Sequence, residues 1–114
     1  LLSKVLYFSG RGQKMAVELL VGLEVSNPEL YAEYRRLMTP LLHQYQGDFG
    51  YDFVVQQSLK PADSSINRVF TIHFATQQLM DTFFSHPDYL AIRQQYFEPA
   101  VAASHILASY QKTD

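Results

Sequence analysis

Among the 114 residues, His73 is the side chain best suited to move a proton. It sits in the alternating run Arg68-Val69-Phe70-Thr71-Ile72-His73-Phe74. In a strand, alternate side chains point to opposite faces, so His73 is expected opposite Phe70, Ile72 and Phe74. An imidazole exchanges protons near neutral pH, which suits a general base. Glu18 and Asp52 alternate toward the same expected pocket side of their own strands. Either could orient His73 or hold a polar group of a substrate. His105 is expected on that face of the last strand. These four side chains are metal-capable types, yet no close ligand spacing such as His-Glu-x-x-His occurs. No metal and no cofactor are expected.

A second set of residues could bind an anion or close a pocket. Arg68 opens its strand near the expected rim. Tyr89 and Arg93 are four apart and share a helix face, so Arg93 could meet a substrate carboxylate or Asp88. Tyr31 could close the pocket mouth, whereas Tyr34 fits the apolar spacing of its helix and reads as core. His86 and His43 read as helix-end residues. No glycine-rich phosphate loop and no Gly-x-Ser-x-Gly elbow occurs.

The elements that must position these groups follow from periodicity. Residues 16–25, AVELLVGLEV, alternate with Val17, Leu19, Val21 and Leu23 on one apolar face. Ser26-Asn27-Pro28-Glu29 opens a helix, either through a Ser26–Glu29 capping box or through Asn27 with Pro28 in first position. Leu30, Tyr34, Leu37, Met38, Leu41 and Tyr45 recur at helical spacing, Pro40 predicts a kink, and Gly47 predicts the stop. A second strand places Phe49, Tyr51, Phe53 and Val55 opposite Asp52 and Val54. The third covers residues 68–74. Thr76 caps a short helix, and Ser85 with Asp88 predicts a capping box for the next. The last strand, residues 102–110, sets Ile106, Ala108 and Tyr110 against His105, Leu107 and Ser109.

The order β-α-β-β-α-β predicts an α+β, ferredoxin-like sandwich: a four-stranded antiparallel sheet with helices on one face. The other face, with Leu20, Val54, Val69 and Leu107, is too apolar for solvent alone. A second copy meeting it would form a dimeric α+β barrel, so a sheet-to-sheet homodimer is expected.

Residues 15–114 read as this one domain, with 1–14 an N-terminal extension or expression remnant containing a short strand at 5–8. The net charge of −2 and the lack of basic runs argue against nucleic acid as a partner. The absence of cysteine removes thiolate chemistry and any need for an oxidising compartment. No apolar run is long enough for a bilayer, so no membrane partner is expected and a cytoplasmic location is.

The landmarks Tyr31-Ala32-Glu33-Tyr34, Pro40 in the same helix, Gly47 before Phe49, the strand 68–74 and Ser85-His86-Pro87-Asp88-Tyr89 make residues 16–110 resemble the DUF1330 family, within the dimeric α+β barrel superfamily. Asp48 stands where that family has a second glycine. Arg93 follows Tyr89 by one turn, whereas the family's arginine comes later, near Tyr96. The resemblance implies a ferredoxin-like protomer and a sheet-to-sheet dimer, and no established reaction. Related barrels include small monooxygenases working on aromatic compounds without metal or flavin, haem-degrading enzymes and stress-responsive proteins.

The leading functional expectation is a homodimeric small-molecule-binding protein, regulatory or stress-related, using the barrel face with His73 and Arg68. The alternative is a cofactor-independent monooxygenase or isomerase acting on a small aromatic or enolisable substrate, with His73 as base. A third is a structural dimer whose interior is filled.

Overall fold

A computed structural model describes residues 15–113. The predicted 1–14 extension, with its strand at 5–8, lies outside the described residues. Strand β1 (Ala16–Val25) leads into helix α1 (Pro28–Gln44), then β2 (Gly47–Val54) and β3 (Arg68–Phe74). Helices α2 (Gln77–Ser85) and α3 (Pro87–Ile92) follow, then a π-helical turn (Arg93–Phe97) and β4 (Val101–Lys112). The strands form one antiparallel sheet in the order β2-β3-β1-β4. This is the predicted ferredoxin-like sandwich.

The apolar odd face of β1 carries the core. Val17, Leu19, Val21 and Leu23 pair with Phe74, Ile72, Phe70 and Arg68 of β3. Against this layer α1 packs Tyr31, Tyr34, Met38 and Leu42, and α2 and α3 pack Met80, Phe83 and Tyr89, all buried.

Local signals explain most element ends. Asn27 caps α1 by accepting from the Leu30 N–H at 3.1 Å, with Pro28 in the first turn. Ser26 instead donates to the Ala100 carbonyl at 3.1 Å, so the second of the two predicted caps forms. Thr76 caps α2 through the Leu79 N–H at 3.1 Å. The predicted Ser85–Asp88 box does not form. Ser85 Oγ donates back to the Asp81 carbonyl at 2.8 Å, and His86 Nδ1 takes the Asp88 N–H at 3.0 Å. An imidazole nitrogen in the cap position substitutes for the serine oxygen. The left-handed residue after α1 is Gln46, at φ 57°, not Gly47. Gly47 opens β2, where a Cβ would lie 2.5 Å from Leu42 Cδ1 and 2.7 Å from Phe74 Cε2. Its role is close approach of strand to helix, not a turn.

Two bulges reverse the predicted faces. In β2, Phe49 pairs with Ile72 and Asp52 with Phe70, so Gly50 and Tyr51 together oppose Thr71. Thr71 Oγ1 accepts the Tyr51 N–H at 2.8 Å. Beyond the extra residue, Asp52 and Val54 lie on the helix side and Phe53 opposes Val69 on the open face. The prediction had Asp52 and Val54 the other way. In β4, Ala108 pairs with Leu20 but Ile106 with Val21, which leaves Leu107 as the extra residue. Ile106 and Ser109 therefore face the helices, and Ala108, Tyr110 and His105 the open side. An inserted residue shifts alternation by one, so every side chain past it changes face.

Candidate active site between sheet and helices

A cavity of about 110 Å³ lies between the sheet and the helices. Its floor is aliphatic and aromatic: Leu19, Val21, Leu23, Phe49, Phe70 and Ile72 from the strands. Its roof carries the polar groups. Tyr31, Tyr34 and Arg35 descend from α1, and Tyr89 and Arg93 from α3 and the π-helical turn. Ser104 and the largely exposed Ile106 of β4 stand at one end. A shallow apolar groove outside shares Leu19, Phe84, Tyr89, Arg93 and Ile106 with the cavity and continues it to the surface.

The roof is preset by a chain of hydrogen bonds. Tyr34 and Tyr89 are buried with their hydroxyl oxygens 2.8 Å apart. Burial pushes the Tyr34 phenol well above its ordinary range, and the neighbouring Tyr89 hydroxyl adds to that. Tyr31 accepts from Arg35 Nε at 2.7 Å. Burial also raises the Tyr31 phenol, against the pull of Arg35. Both phenols are therefore protonated donors at neutral pH. The Arg35 guanidinium lies 3.8 Å from the Phe49 ring centre and 4.8 Å from that of Phe70. These contacts let an aromatic-lined wall carry a positive charge.

Asp52 fixes Arg35 from outside. Its carboxylate accepts from Arg35 Nη1 at 3.1 Å and from Arg68 Nε and Nη2 at 2.8 and 2.9 Å. The Arg68 hydrogen bonds hold the carboxyl below the usual carboxylate range, and Arg35 reinforces them. Arg68 also stands 5.1 Å from the Tyr31 ring centre. The β2 bulge is what turns Asp52 toward this pair. At the other end, Arg93 lies 4.7 Å from the Phe97 ring centre and 3.8 Å from the Glu98 carboxylate.

The predicted site residues thus separate into two groups. Tyr31, Tyr89 and Arg93 line the cavity, and Arg68 and Asp52 brace it. His73, Glu18 and His105 occupy the opposite sheet face and do not line it. Glu18 pairs with both His73 and Tyr110 across the strands. It accepts from the Tyr110 hydroxyl at 2.7 Å and from Lys112 Nζ at 3.4 Å. Burial raises the Glu18 carboxyl, but these two partners bring it below its ordinary value. His73 Nδ1, 3.9 Å from Glu18, has no hydrogen-bond partner among the described residues. Among those residues no three His, Asp or Glu side chains converge as a metal ligand set.

Arg35 escaped the sequence reading, and Tyr34 was read only as core. The signal for Arg35 was present: Tyr31 and Arg35 repeat the i,i+4 spacing of Tyr89 and Arg93.

No protein-family model matches the chain, the DUF1330 family included, and no curated protein matches it in sequence. Solved structures do match. A Rhodopseudomonas palustris protein of unknown function superposes with a TM-score of 0.77 at 15% identity, over 98% of this chain and 93% of that one. A dabb family protein with a ferredoxin-like fold from Mesorhizobium loti gives 0.61 at 12% identity, over 89% and 98%. A cofactor-independent oxygenase from Streptomyces nogalater gives 0.57 at 11% identity, over 88% and 93%. At these identities the shared property is the ferredoxin-like fold. No helix among the described residues is long and apolar enough to cross a membrane.

Proposed function

We propose that the chain is an enzyme acting on a small aromatic or enolisable compound in the cavity between sheet and helices, without a bound cofactor. One observation carries this reading: the cavity is apolar except for the Ser104 hydroxyl at one end and the tyrosine and arginine donors of its roof. Enolisation places negative charge on a carbonyl or ring oxygen. Donors already fixed in a water-poor site stabilise that charge without reorganising. The Streptomyces nogalater oxygenase, built on the same fold, supports oxygen as the second substrate. Isomerisation is the other fate of the same enolate. A base role for His73 does not fit this cavity, because His73 faces away from it.

The test is oxygen uptake and product mass with a panel of substituted phenols and small cyclic 1,3-diketones. Turnover is expected, with kcat falling about 10- to 100-fold in a folded Tyr34→Phe variant. Binding of these compounds without turnover would leave a binding protein and overturn the enzymatic reading.

We also propose a homodimer through the open sheet face. Leu20, Val69 and Phe53 share this face with Leu107 and Ile66, which lie against Gly22. Phe53 is 55% exposed and Leu107 50%. Such a patch is unusual on a surface left to water. It supports the barrel that the DUF1330 resemblance implies. Sedimentation equilibrium should give a dimer that Val69→Lys converts to a monomer, and a monomeric parent protein at micromolar concentration would sink the barrel.

A further inference from the structure

The cavity contains donors and no base. Tyr31, Tyr34 and Arg35 face it from α1, Tyr89 from α3 and Arg93 from the π-helical turn. The strands contribute only apolar side chains and the Ser104 hydroxyl. No carboxylate lines the cavity among the described residues; the two that pair with its arginines are Asp52, bound to Arg35 and Arg68, and Glu98, beside Arg93. Glu18 and His73 belong to the other sheet face. A proton lost by a ligand in this cavity has no acceptor on a described side chain lining it.

A count of hydroxyl protons points the same way. Tyr34 and Tyr89 carry two phenolic protons but share one hydrogen bond. The second proton has no acceptor among the described residues, and both rings line the cavity. Tyr31 accepts from Arg35, so its own proton is also free to be donated. Accepting from a guanidinium makes Tyr31 a stronger donor.

We infer that this cavity takes its ligand as an oxyanion, a phenolate or enolate whose proton is released to bulk water on entry, and that Tyr31 and the Tyr34–Tyr89 pair grip the oxygen. The inference rests on the cavity reading above and deepens it by naming the ionisation state of the ligand. Arg35 is the positioning residue: it polarises Tyr31 and is itself held by Asp52. Binding should then follow the acidity of the ligand, not the titration of a protein group. A ring of benzene size occupies a cavity of about 150 Å³ in a well-studied core. The 110 Å³ here suits a single oxygen-bearing ring, with any extension passing Ile106 into the outer groove.

The probe is 4-nitrophenol, whose neutral and ionised forms differ in visible absorbance. Titrated with the full chain, the bound form is expected to ionise about one pH unit below the free form, a tenfold preference for phenolate. Tyr31→Phe and Tyr34→Phe should each reduce that preference about threefold or more, with folding checked by circular dichroism. Should one variant not fold, the other and Tyr89→Phe give the same reading. His73→Gln should change nothing. Binding as the neutral phenol would overturn the inference and leave the cavity reading standing. So would a preference that survives all three tyrosine variants. A preference that His73→Gln abolishes would overturn both, because His73 does not line the cavity. No binding of either form to the folded chain would overturn both.

Discussion

Tyr34 of α1 and Tyr89 of α3 meet hydroxyl to hydroxyl at 2.8 Å, a polar link within an aromatic cluster that includes Phe83, Phe84 and Phe97. Their rings sit 6.3 Å apart, edge to face. Removing one hydroxyl leaves the other buried without its partner, which costs about 1–2 kcal/mol. Removing both leaves rings that still pack. Tyr34→Phe and Tyr89→Phe should therefore each destabilise the fold, and the double variant should be no worse than the weaker single one. Urea melts of the three proteins give the coupling energy, and strict additivity would mean that the hydroxyls act independently.

Asp52 links stability to acid. Its carboxyl is held below the ordinary 3.8 by Arg68 and Arg35. A depressed folded value means that the ionised form is favoured by folding. The stability it contributes is present above about pH 4 and is lost as pH falls through the folded value. Asp52→Asn should lower the melting temperature at neutral pH and flatten its fall below about pH 4. Glu18, also depressed, keeps part of that acid limb. Thermal melts from pH 7 down to pH 2.5 read the difference, and parallel curves for the two proteins would remove Asp52 from the account.

The alkaline limb should belong chiefly to Tyr34, with Tyr31, also raised by burial, contributing part of it. The folded value of Tyr34 is raised well above 10.0, so the folded state favours the neutral phenol. The associated stability is complete below about pH 10 and is lost as pH rises toward the folded value. Unfolding at high pH should proceed with phenolate appearing only on denaturation, seen as ultraviolet absorbance tracking loss of circular dichroism. Tyr34→Phe should soften that limb.

Gly47→Ala should cost about 1–3 kcal/mol, because the added Cβ meets Leu42 and two atoms of the Phe74 ring below 3 Å in a packed core. Gly22→Ala should cost less. Its short contact, 2.8 Å, is with the tip of Ile66, a flexible side chain on the open face. Equal melting temperatures for the two variants would contradict this ranking.

Gly47 also shows what the sequence could and could not disclose. Its position between an amphipathic helix and an alternating strand marked a boundary, and the boundary is there. The alternation of β1 and β3 placed every core residue of those strands correctly, since neither carries an insertion within its β1–β3 pairing. In β2 and β4 the same logic failed beyond Tyr51 and Leu107. A bulge is set by hydrogen bonds to the neighbouring strand, which a single run of residues does not display. That failure placed Asp52 on the open face of the sheet, away from the helix side where it meets Arg35 and Arg68. Tyr34 was legible as core because it is core. Its hydroxyl bond was not legible, because the partner, Tyr89, lies 55 residues away.

The bulge itself can be tested through Thr71. Its hydroxyl accepts the Tyr51 N–H at 2.8 Å and so satisfies the donor that the extra residue displaces from the ladder. Thr71→Val keeps the shape and removes the acceptor, at about 1–2 kcal/mol for a partly buried bond. The larger effect should be positional. Without the anchor, β2 can slide toward regular pairing, which would turn Asp52 off the helix side and release Arg35 and Arg68. Amide exchange at Tyr51 should accelerate, and the acid limb assigned to Asp52 should shrink as it does in Asp52→Asn. An unchanged acid limb with fast exchange at Tyr51 would show that the Asp52–Arg68 pair holds the register on its own.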